Sequence, residues 1–137
     1  MELFFMRDST QQWVNKAEGD YRSMVRESRV AEKPNYDIVC FLSQQCVEKL
    51  LKAIMIEEDT EFPKIHDLQR LLRLLTNRHP ELERLLPSLT KLSRLGADVR
   101  YPYESAGLKE AEFAKAACEE ARETIRQVLG IEAEEEA

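Results

Sequence analysis

The chain has 137 residues, of which 34% are charged, and its net charge is −6, with only 4 Gly and 5 Pro. This length fits one domain with one hydrophobic core, and the composition is typical of a helix-rich globular protein rather than a disordered or collagen-like chain. The apolar runs are far shorter than the ~20 residues of a membrane-spanning helix. The first residues lack the basic start and small-residue cleavage site of a secretory signal, so we expect a cytoplasmic protein.

Apolar residues recur at helical spacing along most of the chain, and no segment shows strand-type alternation. Short connections between long amphipathic helices favour an all-α fold, an antiparallel up-and-down four-helix bundle with one short extra helix. We assign residues 1–130 to this bundle and residues 131–137 to an acidic tail. The first predicted helix runs from about Ser9 or Thr10 to Glu32, and the second from Asn35 to Glu58. The third carries the leucines from Leu68 to Leu75 and stops before Pro80. The fourth begins at Pro87 or Ser88 and ends around Gly96–Pro102, and the last runs from Ala106 or Gly107 to just before Gly130.

The last predicted helix carries a stripe of small residues, which allows another helix backbone to approach closely. They are Ala111, Ala114, Ala117, Cys118 and Ala121. The cysteine count of three is odd, and the spacing of Cys40, Cys46 and Cys118 fits no metal motif, so we expect buried thiols and no metal site or cofactor.

Charge limits the classes of ligand. Removing the four glutamates after Gly130 from the net charge of −6 leaves −2 on the bundle. Since the bundle is not basic overall, any site for an anion or RNA must be a local patch.

One such patch is predicted where the first two helices face each other. Asp20 shares the apolar stripe of Trp13 and Ala17, so it either lies at the stripe edge in water or pairs with a cation on a facing helix. Gln45, Lys49 and Lys52 fall within one arc of the second helix. These residues are either the flank of a solvated face, or the two lysines form an ammonium pair that binds phosphate, with each ammonium held at the mouth of a groove.

Two more candidates lie where helices begin or end. His66 precedes the third helix together with Asp67, where it either caps and packs or transfers protons. Pro102 forces extended backbone at Tyr101. Arg100 and Tyr101 could then enter a groove, where the guanidinium would bind phosphate and the phenol would stack on a base; otherwise Arg100 is a loop arginine paired with a nearby glutamate.

Four segments together resemble the HEPN domain family (higher eukaryotes and prokaryotes nucleotide-binding). Residues 40–53, CFLSQQCVEKLLKA, resemble the family's F-x-x-Q-Q-x-x-E-K-x-L-K-A helix. Trp13-x3-Ala17-x2-Asp20 is similar to its first-helix pattern, residues 63–72 to its P-x-x-H-D-L-x-x-L-L element, and Arg100-Tyr101-Pro102 to its R-Y-P signature. The segments occur in the family's order and cover about residues 10–129.

The resemblance implies a homodimeric helical module that binds a nucleotide, a phosphate or RNA with Lys49, Lys52 and Arg100. It also implies a toxin-like or accessory role in a toxin–antitoxin pair, with a minimal nucleotidyltransferase as the partner. Large apolar residues in predicted loops or ends, namely Phe4, Phe5, Phe62 and Tyr103, either mark the dimer contact or cap the bundle.

An enzymatic alternative is a metal-independent endoribonuclease, and a third is a purely structural dimerisation scaffold. Ribonuclease members of the family resemble one another in an Arg-x4–6-His motif at the last helix, but no His follows Arg100 at that spacing. Since the expected general base is absent, His66 would have to act with Arg100. The sequence therefore favours binding over catalysis.

Overall fold

The structure is a computed structural model, and it describes residues 6–131. Within this range, five α-helices follow one another, with a 3₁₀ helix at Pro80–Leu85 between the third and fourth. The helices are α1 (Asp8–Ser28), α2 (Tyr36–Glu57), α3 (Leu68–Arg73), α4 (Leu86–Asp98) and α5 (Leu108–Val128). The predicted acidic tail beyond Ile131, and also Phe4 and Phe5, lie outside the described residues.

The helix ends follow from local chemistry. The Asn35 side chain accepts a hydrogen bond from the Ile38 backbone N–H and so caps the start of α2. At the end of α5, Gly130 has φ of 72°, and the backbone N–H of Ile131 donates to the Arg126 carbonyl. This left-handed turn, which favours glycine, closes the helix in the way predicted from the sequence.

Two boundaries differ from the predicted ones. Helix α1 ends at Ser28 rather than near Glu32, because the chain turns toward α2 and the Glu27 carboxylate accepts from the Asn35 backbone N–H. Helix α3 ends at Arg73, and turns occupy the residues that continue its leucine pattern. Asp67 begins α3 without a side-chain cap, and Ser93 of α4 accepts the backbone N–H of Leu68, the first residue of the helix.

The four long helices alternate in direction, as predicted for an up-and-down bundle. The start of α1 meets the end of α2, where the Arg7 backbone N–H donates to Glu57. Helix α4 runs antiparallel to α5, because Arg84, just before α4, donates to Thr124 near the end of α5, whereas Lys91 within α4 lies over Phe113 near the start of α5. Helices α2 and α5 are parallel, because their starts lie together: the Ala106 backbone N–H, just before α5, donates to the Asp37 carboxylate at the start of α2.

The cross-section of the bundle is a flattened rhombus. Helix α2 packs against α5 across the short diagonal, whereas α1 and α4 do not touch within the described residues. The stripe of small residues on α5 is buried and permits this close approach. Cys46 and Cys118 are buried free thiols. A hydrogen bond with Cys118, together with burial, raises the pKa of the Cys46 thiol well above its ordinary value.

Helix α2 is consequently enclosed by its neighbours and carries buried polar groups in its second half. Gly96 lets α4 approach it, because a Cβ at that position would lie 2.6 Å from the Gln44 Cβ. Within residues 6–131, no helix combines the length and apolarity that crossing a membrane requires.

Candidate functional site

Two neighbouring rows of polar side chains run along α2, and they define the candidate site. The first row consists of Gln44, Glu48 and Lys52, four residues apart. The second consists of Gln45 and Lys49, one position further round the helix. Because residues four apart stack on one helix face, each row presents its groups to a different neighbour.

The first row centres on Glu48, whose side chain is only 7% exposed. Its carboxylate accepts from the Lys52 ammonium at 3.0 Å, from the Gln44 amide at 3.0 Å, and from His66 Nδ1 at 3.1 Å. Burial alone would raise the Glu48 pKa, but the three hydrogen bonds outweigh it and hold the pKa below its ordinary value. Glu48 is therefore an ionised acceptor at neutral pH.

Lys52 is enclosed as well, and its surroundings correct the expectation that its ammonium sits at a groove mouth. Its side chain is 8% exposed, and Nζ lies 5.4 Å from the centre of the Phe62 ring and 6.0 Å from that of Trp13. Phe62 packs edge-on against Trp13, with ring centres 5.6 Å apart. Phe62 thus packs against the bundle, and Lys52 is held by Glu48 and two aromatic rings.

The second row faces α1. The Lys49 ammonium lies 2.5 Å from an Asp20 carboxylate oxygen, and both side chains keep a fifth to a quarter of their surface exposed. The structure thus shows the interhelical ion pair that was one of the two alternatives for Asp20. Gln45 joins the rows, since its amide donates to the Gln44 side-chain oxygen at 2.8 Å.

A cavity of about 590 Å³ opens beside this ion pair. Its lining comes almost entirely from α1, with Lys49 contributed by α2: Gln12, Trp13, Asn15, Lys16 and Lys49. Its volume falls in the usual range for small-ligand sites of ~300–1,000 Å³. The lining offers an aromatic ring, two amides and two ammonium groups, which are the groups that bind a phosphate attached to a flat ring.

Arg100 and Tyr101 lie elsewhere. The Arg100 guanidinium is 5.3 Å from the centre of the Phe41 ring, beside a cavity of about 350 Å³ at the start of α2. Tyr101 is 53% exposed and stacks on Tyr103, with ring centres 5.7 Å apart. Phe41 precedes Lys52 by eleven residues, which is about 16 Å along a helix axis at ~1.5 Å per residue. The three cations predicted to bind one ligand therefore have three different sets of neighbours.

His66 is also apart from Arg100. It contacts Glu48, seven residues after Phe41, which corresponds to about 10 Å along α2. Among the described residues, His66 and Arg100 therefore do not form the pair that the ribonuclease alternative requires. Within residues 6–131, no cluster of three histidine, cysteine or acidic side chains is arranged to hold a metal ion.

Some residues of the site were not singled out by the sequence. The sequence contains Glu48 and Gln44 as part of the α2 motif without indicating their role, and it gives no indication of Lys16. The available signal was the spacing of Gln44, Glu48 and Lys52, because a carboxylate four residues from both an amide and a lysine has partners for burial. Lys16 had no such signal, since an exposed lysine on a helix is common.

A family model for the HEPN domain matches residues 10–135. The chain belongs to the HEPN family. Two solved structures share its fold, both with a TM-score of 0.66. ST0689, described as an archaeal HEPN homologue, is 23% identical, and the match covers 88% of this chain and 97% of that one. TT1696 from Thermus thermophilus is 22% identical, with 90% and 95% covered. Among curated proteins, no sequence matches significantly.

The family match agrees with the geometry of α2. Every polar position of the HEPN-like segment at residues 44–52 belongs to one of the two rows, Gln44, Glu48 and Lys52 to the first, Gln45 and Lys49 to the second. The motif therefore has a physical basis: one row ties α2 to the segment before α3, and the other ties α2 to α1.

Proposed function

We propose that this HEPN protein is a nucleotide- or phosphate-binding module whose ligand occupies the cavity beside Lys49. The observation that carries this proposal is the lining of that cavity, where Trp13 lies next to two ammonium groups. An aromatic face binds a base by stacking, and ammonium groups bind phosphate oxygens through charge-assisted hydrogen bonds. No bulk positive charge is needed, which suits a chain with a net charge of −6.

The two lysines have different roles in this proposal. Lys49 is positioned by Asp20, and an ammonium has three donors, so two remain for a phosphate after the bond to Asp20. The Lys49–Asp20 pair is neutral in sum, so Lys16, which is exposed, supplies the net positive charge of the cavity. Lys52, Gln45 and His66 act indirectly, because they hold the α2 side of the site.

The binding test uses the single tryptophan of the chain as a reporter. Titration with ATP, GTP and inorganic phosphate should show saturable binding by calorimetry, and a nucleotide that stacks should quench Trp13 fluorescence. Lys16→Ala should weaken binding about tenfold to a hundredfold, the effect of removing one charge-assisted hydrogen bond. Lys91→Ala is the matched control, since Lys91 is an exposed lysine on α4, which does not touch α1 within the described residues.

Absence of calorimetric heat and of quenching at millimolar ligand would refute the proposal. Equal weakening by Lys16→Ala and Lys91→Ala would show that the ligand senses overall charge rather than this cavity.

We also infer that the protein works as a homodimer. Five large apolar residues are strongly exposed among those described, and four lie at one end of the bundle: Val30, Tyr101, Tyr103 and Leu108. The cavity lined by Asn35 and Arg100, and the bond from Ala106 to Asp37, show that the α1–α2 and α4–α5 connections share this end. Charged residues of both signs (Arg29, Glu32, Lys33, Glu104 and Lys109) flank the patch residues in sequence, which suits a self-complementary contact with a second copy.

Family membership further supports a partner, a minimal nucleotidyltransferase, with this chain as the toxin-like or accessory member of the pair. Expression of the chain alone should then slow growth of the host cell, and co-expression of a nucleotidyltransferase encoded beside it should restore growth and co-purify. Normal growth, with no complex between the two proteins, would contradict this role and leave the ligand proposal intact.

A further inference from the structure

The Glu48 cluster positions one chemically reactive atom at the surface, Nε2 of His66. The His66 side chain is 65% exposed, yet its ring is fixed on one side, where Nδ1 lies 3.1 and 3.3 Å from the two Glu48 oxygens. The His66 carbonyl oxygen also accepts from the Gln44 amide at 3.1 Å, which anchors the backbone. An exposed ring with two anchors differs from an ordinary surface histidine, which is free to rotate.

The anchor determines which nitrogen is the nucleophile. Glu48 is ionised and can only accept hydrogen bonds, so Nδ1 of His66 must carry a proton to bind it. In the neutral ring the lone pair is then on Nε2, the nitrogen away from the carboxylate. This is the arrangement by which a buried carboxylate orients an imidazole for reaction at the opposite nitrogen.

We propose that His66 is a phosphoryl-acceptor site, phosphorylated on Nε2 by a donor with a phosphorus–nitrogen bond such as phosphohistidine of another protein. In the step, the Nε2 lone pair attacks phosphorus and a new N–P bond forms. The donor reacts in its N-protonated form, with the proton on the second ring nitrogen of phosphohistidine or on the nitrogen of phosphoramidate. Its P–N bond breaks, and the electron pair leaves with the donor nitrogen as neutral imidazole or ammonia. The His66 ring, which keeps its Nδ1 proton, becomes cationic.

Glu48 is the positioning residue for this step. Because the phosphorylated ring carries a positive charge beside Nδ1, the Glu48 carboxylate stabilises the product as well as the reacting tautomer. The incoming phosphoryl group has cationic neighbours in sequence, the exposed Lys64 and Arg70, with Arg70 held 3.8 Å from Asp67. The exposure of His66 allows a donor as large as a protein to reach it.

His79 is an internal control, as the only other histidine of the chain. Its side chain is 18% exposed, and both ring nitrogens face carboxylates, Nε2 at 2.7 Å from Glu58 and Nδ1 at 3.6 Å from Glu81. Because little of the ring is exposed and a carboxylate faces each nitrogen, His79 should not accept a phosphoryl group while the protein is folded.

The experiment treats the folded full-length protein with potassium phosphoramidate, the simplest donor with a P–N bond, which releases ammonia. Mass spectrometry counts the phosphoryl groups, and ³¹P and ¹⁵N NMR identify the nitrogen. We expect one group on His66 Nε2 and none on His79, a product unchanged in His79→Gln and absent in His66→Gln. Glu48→Gln should slow the reaction about tenfold, the factor for one lost charge-assisted hydrogen bond, and should add an Nδ1 product.

Two results would overturn the proposal. One is an Nδ1 product on the wild-type protein, which needs no variant to interpret. The other is a His66 rate in the folded protein no higher than that of the histidines of the same protein in urea, because then Glu48 confers no reactivity.

Discussion

Individual residues of this protein show why a buried polar group must be judged with its partners. Lys52 is buried, and its ammonium would be costly to bury without a partner. Glu48 meets its ammonium at 3.0 Å, and Trp13 and Phe62 surround it. The cluster therefore depends on Glu48 more than on any other member, because its carboxylate accepts from Gln44, Lys52 and His66.

Replacing Glu48 by Ala should be among the most destabilising single changes in the chain. It leaves the Lys52 ammonium buried without a partner, and breaking a buried pair in this way costs about 3–5 kcal/mol. Urea denaturation followed by circular dichroism measures the loss. Lys49→Ala is the control, since its Asp20 partner keeps 20% of its surface exposed and the loss should be about 1 kcal/mol. Equal losses would mean that Lys52 finds water or another partner.

The same carboxylate predicts a pH dependence. The folded-state pKa of Glu48 is below its ordinary value, so its stabilising contribution is complete above the unfolded pKa of ~4.3. The contribution is lost as the pH falls through the lower folded pKa. Wild type should therefore exceed Glu48→Gln in free energy of unfolding at pH 7, and the difference should shrink progressively below about pH 4. A difference that stays constant from pH 7 to pH 3 would contradict the role of ionised Glu48.

At the scale of the helices, periodicity predicted the number and order of the elements but not their ends. Ser28 ends α1 because Glu27 reaches Asn35 across the connection, a contact between two elements that one helical wheel cannot show. The site was predicted to a similar extent. Asp20 was a candidate because it shares an apolar stripe, and Lys49 because it borders one. The burial of Lys52, in contrast, depends on Phe62, which lies in a loop with no periodic pattern.

Two glycines test how closely the helices pack. In α4, a Cβ on Gly96 would lie 2.6 Å from the Gln44 Cβ, so Gly96→Ala must push α4 from α2. The expected loss is about 1–3 kcal/mol by overpacking, despite the better helix propensity of alanine. In α1, a Cβ on Gly19 meets only an arginine tip at 3.9 Å, so Gly19→Ala should stabilise by about 0.5–1 kcal/mol. Thermal melts of both variants compare them directly, and a stabilising Gly96→Ala would refute the close packing of α4 on α2.

The flattened cross-section is a property of the whole molecule, and it depends on alanines in α5. Ala114 is fully buried toward the short diagonal, whereas Ala116 on the same helix is exposed. Ala114→Leu should lower the free energy of unfolding by about 1–3 kcal/mol, because the added methyl groups separate parallel helices that carry the core. Ala116→Leu should change it by less than about 0.5 kcal/mol. Chemical denaturation of these two variants distinguishes a packing effect from a general effect of leucine in this helix.

The flattening also determines which surfaces remain for other molecules. The other helices cover the sides of α2, so the large exposed apolar groups among the described residues lie at the ends of the bundle. Most are at the end that carries Tyr103 and Leu108.

If a second copy covers that end, light scattering after gel filtration should give twice the mass of one 16.0 kDa chain. Leu108→Asp combined with Tyr103→Asp should then give a monomer, since a charge buried at an apolar contact has no partner. Leu74→Asp is the matched control. Leu74 is 50% exposed and lies in the connection after α3, at the opposite end of the bundle. This change should leave the dimer intact. A monomeric wild type, or dissociation by Leu74→Asp alone, would place the contact elsewhere.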